Sequence, residues 1–361
     1  MAPEFFQKRN MMQIGKEPME KAVISPGALY PPVDIRATAS FIHSVQKPNG
    51  EIPWSVGGKT DPWDHVESAM GLTVGGFYEA AKKAYLWSSD HQLPDGSWWS
   101  YYENGRPQAG AYKDPNMTAY LAVGMLHFYL CTGDDAFLWR MWGTVSRAMD
   151  YAMRLQTAQG PIYWAERADG TIDPTALLTG SSSMYLSLSS ALQIAALIGE
   201  AKPAWEFSRT RLGQAIRHKP HLFDQTKACF SMDWYYPVLC GALKGREAAE
   251  RIEDHWETFT VPDWGVLCVS DRPWATMAET AELVMTLAAM GNQDAAETVF
   301  GWLADKTDGD GAFWTGLTIP DHVIYTREKT AWTAAAVLLA ADILCDITPA
   351  ARLFKRAHDG P

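Results

Sequence analysis

Basic residues are the scarcer charged class in this sequence of 361 residues, with 31 Lys and Arg against 42 Asp and Glu. The formal net charge is -11, and no basic stripe is present that could neutralise the phosphates of a nucleic acid. The composition therefore argues against a nucleic-acid partner. Hydrophobic residues make up 47% of the chain, which is enough to bury a sizeable core.

Long apolar runs and paired cysteines are also missing. The longest apolar run, residues 334–341, is too short to span a bilayer, and the first ten residues lack the apolar core of a signal peptide. The five cysteines are scattered without a CxxC pair, which suits a reducing compartment. We expect a cytoplasmic protein without a transmembrane segment, while peripheral membrane contact through surface side chains stays open.

Familiar catalytic and nucleotide-binding motifs are absent too. The sequence contains no GxGxxG, GxxxxGKS/T, HExxH or GxSxG pattern. It therefore does not predict a dinucleotide site, a P-loop, a zinc-protease helix or the nucleophile elbow of a hydrolase.

One turn pattern, in contrast, recurs three times: Gln, three residues, Gly, one residue and then a large apolar residue. It occurs as QKPNGEI (46–52), QLPDGSW (92–98) and QTAQGPI (156–162). Asp-Pro pairs at 61–62, 114–115 and 173–174 follow, each with a capping carboxylate and a proline suited to the first turn of a helix. A repeat of this kind indicates an array of helical hairpins.

The helix starts divide the chain into two alternating sets. Apolar inner helices are predicted near 62–74, 115–131, 181–198, 232–244, 275–290 and 327–344. Amphipathic outer helices are predicted near 32–46, 76–91, 136–156, 204–218, 246–258 and 293–305. No segment has the period-two alternation of a half-buried strand. The sequence thus predicts an all-α fold, an (α/α)6 toroid over 31–347, with an N-terminal extension (1–30) and a C-terminal tail (348–361).

The complete turn, QLPDGSW, resembles the QW motif of class II terpene cyclases, and related turns occur in protein prenyltransferase β subunits. The other two copies carry Ile in place of Trp, and a degenerate turn, DGDGAFW, lies at 308–314. The resemblance covers nearly the whole chain. It implies a toroid with a central cavity and a bacterial prenyltransferase-like, single-domain enzyme that handles isoprenoids.

The metal and acid motifs of those families are not found. There is no Asp-x-Asp-Asp acid tetrad and no DDxxD magnesium helix. Cys268, Asp271 and His322 lack the spacing of the prenyltransferase zinc triad. We therefore expect a metal-independent protein with no cofactor, in which another carboxylate replaces the acid.

Carboxylates on the predicted inner helices are the catalytic candidates. Glu279 and Glu282 stand one turn apart in an otherwise apolar run, where burying a charge is costly unless the charge is paired or used. Asp64 and Glu67 repeat this spacing, and Asp233 directly precedes an aromatic cluster. We predict that these five residues supply the acid–base chemistry.

Structural explanations compete with these assignments. The two glutamates could form a buried salt bridge with Arg272, Lys329 or another basic residue. Asp61 and Asp64 could serve as helix caps that interact with the helix dipole. His65 could carry a proton, or it could pack against a backbone carbonyl.

Tryptophan is abundant, with 16 copies, many of them where inner helices are predicted to begin. The face of an indole ring can stabilise a carbocation or an oxocarbenium ion, and its flat surface can stack on a sugar. Core packing explains other copies. We predict that the substrate is bound by Trp54, Trp63, His65, Trp234, Tyr235, Trp274, Trp314 and Trp332.

Three functions compete on this evidence. The leading hypothesis is an isoprenoid-handling enzyme of the terpene cyclase or prenyltransferase type, which depends on the QW-like turns. The alternative is a carbohydrate-active enzyme, such as a glycosidase, lyase or epimerase, that uses paired carboxylates and tryptophan platforms. A non-catalytic binding toroid is the third, but it gives no reason for carboxylates on inner helices. The expected partner is a small molecule, either an isoprenoid or a glycan.

Overall fold

Two alternating sets of helices make up most of this computed structural model, which describes residues 33–356. The predicted N-terminal extension at 1–30 lies outside the described residues. The outer helices are α1 (Ile35–Val45), α3 (Tyr78–His91), α6 (Asp135–Arg154), α8 (Pro203–His218), α10 (Gly245–Phe259) and α12 (Gln293–Gly301). The inner helices are α2 (Pro62–Val74), the pair α4 (Pro115–Ala119) and α5 (Leu121–Thr132), α7 (Leu178–Ile198), α9 (Ser231–Leu239), α11 (Met277–Ala289) and α13 (Ala331–Cys345).

The inner helices form a closed ring. Each packs against the next, in the order α2, α5, α7, α9, α11 and α13, and α13 packs back against α2. Small residues permit the close approach: a Cβ atom added at Gly71 would lie 2.9 Å from Ala335 of α13, and one at Gly124 would lie 2.5 Å from Val66 of α2. The predicted (α/α)6 toroid is confirmed.

The repeated Gln turns tie neighbouring hairpins together. The amide nitrogen of Gln92 donates to the carbonyl of Gly96 in its own turn and to that of Thr144 in the next outer helix, both at 2.9 Å. Gln46 and Gln156 make the corresponding pairs of bonds. Gly96 has φ +93°, and a Cβ atom there would lie 2.3 Å from a backbone oxygen of α6. The pattern therefore specifies how hairpins are joined.

The Asp-Pro starts are confirmed at two of their three positions. Asp61 caps α2 and Asp114 caps α4, each by accepting backbone N–H groups of the first turn. The third prediction was wrong, because Asp173 ends a strand and α7 begins five residues later at Leu178. Asp173 instead accepts the N–H of Thr175 at 3.1 Å within the loop.

Short strands were not anticipated. They are β1 (Tyr102–Glu103), β2 (Arg106–Pro107), β3 (Ala165–Glu166), β4 (Ile172–Asp173), β5 (Thr260–Val261), β6 (Gly265–Leu267), β7 (Trp274–Thr276) and β8 (Gly316–Thr318). β1 pairs with β2, β3 pairs with β4, and β5–β8 form an antiparallel sheet in chain order. β7 runs directly into the inner helix α11, and β2, β4 and β8 lie in the loops that lead to α4, α7 and α13, so these strands belong to the rim where the inner helices begin.

Two further segments complete the described chain. Helix α7 has the length and hydropathy of a membrane span, but 61% of its most apolar window is buried inside the protein, as its place in the inner ring requires.

After α13, a 3₁₀ turn leads to α14 (Arg352–Arg356), whose Leu353 and Phe354 are buried in the core. Within the predicted C-terminal tail, Leu353 and Phe354 are thus packed against the toroid.

Candidate active site

A cavity of about 330 Å³ lies at the end of the toroid where the inner helices begin. Its walls combine carboxylates, aromatic rings and apolar side chains. They are formed by Trp54, Asp61, Trp63, Asp64, Tyr101, Asp114, Asn116, Met117, Ile162, Trp164, Leu177, Thr179, Gly180, Ser181, Met184, Met232, Tyr236 and Trp332. A concave site that is mostly apolar and has a few convergent polar groups is the usual form of a small-molecule site.

Asp61 and Asp64 are the carboxylates at the start of α2. Asp61 accepts the backbone N–H of Asp64 at 2.9 Å and the indole N–H of Trp54 at 2.5 Å. Burial nevertheless raises the pKa of Asp61. The pKa of Asp64 is raised well above its usual range by burial and by the neighbouring charges of Asp61 and Glu67. Asp64 is thus a cavity carboxyl that tends to hold its proton.

Glu67 lies one turn deeper on α2 and is buried. Its carboxylate accepts the indole N–H of Trp63 at 2.9 Å. Burial raises the pKa of Glu67 to about 8, although the bond from Trp63 acts in the opposite direction. Glu67 therefore sits behind an aromatic side chain of the cavity wall and outside the cavity lining.

Glu279 and Glu282 are both buried on α11. Glu282 accepts the hydroxyl groups of Tyr235 and Tyr236, and Tyr236 lines the cavity. Burial, followed by the charge of Glu67, raises the pKa of Glu282 well above its usual range. The carboxylates of α2 and α11 are therefore close enough to influence each other.

Lys329, considered above as a salt-bridge partner of the two glutamates, is engaged by other carboxylates. Lys329 pairs with Asp308 at 2.8 Å and with Asp310 at 2.6 Å. Glu279 instead lies beside Cys268, whose thiol pKa is raised by burial and then by the Glu279 charge.

Asp233 is held in the first turn of α9. Its carboxylate accepts the backbone N–H of Thr179 at 3.1 Å and the Thr179 hydroxyl at 2.5 Å. Burial raises its pKa, against the lowering effect of these bonds and of the Arg251 charge. Because Thr179 itself lines the cavity, Asp233 fixes part of the wall from behind.

Asp114 was predicted only as a helix cap, but it is also a carboxylate of the cavity wall. It accepts the N–H of Asn116 at 2.8 Å and that of Met117 at 3.3 Å. Burial raises its pKa to about 7 despite these bonds. The available signal was its position: like Asp61, it precedes a proline at the start of an inner helix.

Three of the predicted substrate-binding aromatics line the cavity, namely Trp54, Trp63 and Trp332. Tyr235 lies behind the wall as a donor to Glu282. His65 is fully buried outside the cavity lining. Its Nδ1 lies 3.1 Å from the N–H of Ile52, and its Nε2 lies 2.9 Å from the Ala84 carbonyl oxygen.

The other three predicted tryptophans make their contacts outside the cavity lining. Trp234 stacks on Phe259 and donates to the Arg251 carbonyl. Trp274 lies in β7 and donates to the carbonyl of Tyr325. Trp314 lies near the Lys329 ammonium group, 5.4 Å from its ring centre. The structure brings none of the three into the cavity lining.

Several aromatic and apolar residues that were not predicted as site residues reach the cavity from loops and from the other helices. They include Tyr101, Ile162, Trp164, Leu177, Met117, Met184, Met232 and Tyr236. Ile162 ends the third Gln turn, but no local pattern marks these residues as cavity residues, because they come from different hairpins. Within residues 33–356, no group of three or more His, Cys, Asp and Glu side chains is placed to hold a metal ion.

No protein-family model matches this sequence. Among curated proteins, the chain is 45% identical over 330 residues to the MMP endo-(1,4)-3-O-methyl-alpha-D-mannosidase of Mycolicibacterium hassiacum, a match that covers 91% of each protein. The chain belongs to the family of this endo-mannosidase. It is a carbohydrate-active enzyme, in keeping with the carboxylates and aromatic rings of its cavity.

Solved structures with the same fold are more distant in sequence. A glycosidase variant in complex with glucose has a TM-score of 0.69 and 15% identity, covering 87% of this chain and 96% of that chain. A D-mannose isomerase has a TM-score of 0.66 and 12% identity, covering 85% and 95%. At these identities the similarity establishes the fold alone.

The resemblance to terpene cyclases and prenyltransferases was wrong, and so was the isoprenoid function inferred from it. The mannosidase relative overturns both and supports the carbohydrate-active alternative. The error has a physical origin. The Gln side chain binds backbone carbonyls of two hairpins, so the motif indicates how the helices are joined and does not indicate which substrate the cavity binds.

Proposed function

We propose that this chain is an endo-acting glycoside hydrolase that cleaves 1,4 bonds between 3-O-methyl-α-D-mannose residues. The proposal extends the activity named for the M. hassiacum relative to this chain. The observation that carries it is a single cavity in which proton-holding carboxyl groups face an apolar, sulfur-rich wall.

The apolar wall suits a methylated sugar. Met117, Met184 and Met232 line the cavity together with Ile162 and Leu177. An unmodified hydroxyl buried there would need a hydrogen-bond partner, whereas a methyl ether presents an apolar surface. Methionine side chains adapt their shape to such groups. One methyl group that fits an apolar pocket contributes about 1–3 kcal/mol to discrimination between substrates.

Asp64 is proposed as the general acid. A glycosidase acid must be protonated near neutral pH so that it can donate its proton to the glycosidic oxygen as the carbon–oxygen bond breaks. Burial and the charges of Asp61 and Glu67 raise its pKa for this task. Among the predicted catalytic carboxylates, Asp64 is the one that lines the cavity itself.

A second carboxylate must stabilise the positive charge that develops at the anomeric carbon. We propose that Glu282, with Glu279 beside it on α11, supplies this negative charge through Tyr236, whose hydroxyl it accepts and which lines the cavity. Burial and the Glu67 charge raise the pKa of Glu282, and the two tyrosine hydroxyls that it accepts act in the opposite direction, favouring its charged form. Water then adds to the anomeric carbon and gives up a proton to a carboxylate. Glu67 and Asp233, which lie behind the wall, act as positioning residues.

The tryptophans at the cavity complete the proposed site. Trp54, Trp63 and Trp332 offer flat faces against which a pyranose ring can stack. We further propose that the enzyme works in the cytoplasm, which is supported by its five cysteines, all of which are free thiols.

Hydrolysis of matched oligosaccharides tests the proposal. Purified protein is incubated with 1,4-linked 3-O-methyl-α-D-mannose oligomers and with unmethylated oligomers of the same length, and products are followed by mass spectrometry. We expect internal cleavage of the methylated chain, with kcat/KM higher by about tenfold or more, the effect of one methyl group in an apolar pocket. Equal rates on both substrates would contradict the role given to the apolar wall, and no cleavage of either would overturn the proposed activity.

A further inference from the structure

A second cavity, also of about 330 Å³, adjoins the first at the rim of the toroid. Trp164 lines both cavities. The remaining walls of the second come from the loop after β2, which contains Tyr112, and from the hairpin of β3 and β4. We propose that this second cavity is a further saccharide subsite, which holds a neighbouring sugar of the polysaccharide whose bond is cleaved in the first. The inference rests on the proposed function and adds the path of the substrate chain.

A continuous row of aromatic rings connects the two cavities. Tyr101 lines the first cavity and Tyr112 the second. The ring centres of these tyrosines lie 6.3 Å apart, and Tyr112 lies 5.0 Å from Trp164. Rings that are apolar on their faces and polar at one edge suit the alternating apolar and hydroxyl surfaces of linked sugars. The row therefore marks a path for a sugar chain from one cavity to the other.

Polar groups that can bind sugar hydroxyls lie on the wall formed by the hairpin of β3 and β4. Arg167 and Asp173 both line the second cavity, and their closest charged atoms are 3.9 Å apart. The Arg167 side chain is 66% exposed, so most of its donors face solvent. A hydrogen bond from Thr175 and a further one from Trp164 keep the pKa of Asp173 below its usual value. This wall thus offers a charged donor and a charged acceptor.

Hydrogen bonds fix the hairpin that forms this wall to neighbouring segments. Lys113 and Glu166 exchange backbone hydrogen bonds of 2.8 and 2.9 Å, which join the loop before α4 to β3. The Glu166 carboxylate, which is buried, also accepts a bond of 2.5 Å from Arg154. A subsite whose walls are fixed before the ligand arrives loses less entropy on binding.

Cleavage inside a chain also requires such a subsite. An endo-acting enzyme must hold sugar residues on both sides of the bond that breaks, and binding at a distance from that bond contributes to positioning it. The first cavity alone has room for only a short part of the chain. The shared Trp164 makes the second cavity a direct continuation of the first.

A substitution that fills the second cavity tests the proposal. Ala168 lines this cavity at the exposed turn between β3 and β4, so Ala168→Trp places a large ring there without disturbing the core. Ala204→Trp, at an exposed position on α8, is the matched control. Each variant is assayed on a long methylmannose oligosaccharide and on an aryl 3-O-methyl-α-D-mannoside, which spans the first cavity only.

We expect the ratio of kcat/KM on the long substrate to that on the short substrate to fall at least about tenfold in A168W. The ratio should stay at the wild-type value in A204W. An unchanged ratio in A168W, or an equal loss on both substrates, would overturn the subsite. Arg167→Ala should lower the same ratio, and Arg246→Ala, which removes an exposed arginine far along the chain on α10, should not.

Titration calorimetry separates failure of the subsite from failure of the proposed activity. The long oligosaccharide is titrated into protein that carries Asp64→Asn, with and without Ala168→Trp. Weaker binding with the added tryptophan supports the subsite even if no hydrolysis is detected, and equal binding overturns it. Absence of hydrolysis by the wild-type protein on both substrates overturns the proposed function alone.

Discussion

Replacement of Glu67 by Gln should make the protein more stable at alkaline pH, and the size of this effect follows from the burial of the site. Burial raises the pKa of Glu67 from 4.5 to about 8. The folded state therefore holds its proton more tightly than the unfolded chain, so stability falls as pH rises from 4.5 to about 8 and levels off above that. One pKa unit corresponds to about 1.4 kcal/mol, so the loss is about 5 kcal/mol.

The amide of Gln removes this penalty and keeps an oxygen that can accept the indole N–H of Trp63, which is 2.9 Å away in the native protein. It also removes the charge that raises the pKa of Asp64 and of Glu282. Both effects should stabilise the folded state of E67Q above pH 8 by several kcal/mol.

Urea denaturation between pH 4.5 and 9, followed by circular dichroism, measures the effect. The free energy of unfolding of the wild type should decline over this range much more steeply than that of E67Q. Glu250→Gln, which alters an exposed glutamate on α10, is the matched control and should keep the wild-type slope. Parallel slopes for wild type and E67Q would refute the reasoning, because they would mean that Glu67 is ionised in the folded state at little cost.

Three further predictions concern catalysis. Asp64→Asn should lower kcat at least about a hundredfold, the usual effect of removing a general acid, with near-UV circular dichroism unchanged. Asp254→Asn, at an exposed position on α10, is the control. Normal turnover of D64N would exclude Asp64 as the acid. Glu279→Gln and Glu282→Gln should each reduce turnover by a similar factor while the protein stays folded, and if both turn over normally, or both unfold, the pair is structural. Hydrolysis of the neutral glycan should persist after exhaustive treatment with EDTA, a prediction that is wrong if one divalent ion restores lost activity.

The fold was more predictable than the site because each helix has its own local signals. Asp61 and the following proline mark the start of α2, and the observed bounds, Pro62–Val74, equal the predicted ones. Helix α9 was predicted to run to residue 244 but ends at Leu239, just before Gly241 turns the chain with φ +72°. The strands escaped detection because two or three residues are too few to show a period of two.

The site was predictable only where it coincides with a helix start. Trp63 and Asp64 open α2 and reach the cavity, and both were recognised as candidates. Trp164 and Tyr101 come from different rim loops, and tertiary structure brings both to the cavity wall. Met232, on α9, looks like an ordinary core residue in the sequence. Such residues together set the polarity of the cavity, which distinguishes a glycan site from an isoprenoid site. This polarity therefore could not be predicted from the sequence.

The capping aspartates of an outer and an inner helix, Asp134 and Asp114, differ in the direction of their pKa shifts. Asp134 caps the outer helix α6 at the surface, where a bond from Lys82 and a backbone bond from Phe137 lower its pKa. Asp114 caps the inner helix α4 and also accepts two backbone N–H groups, yet burial raises its pKa to about 7. The helix dipole favours the charged form at both positions. Asp134, at the surface beside Lys82, is therefore an ordinary ionised aspartate, whereas burial makes Asp114 a carboxyl that exchanges protons near neutral pH. The rim of the inner ring is where such buried carboxyls collect.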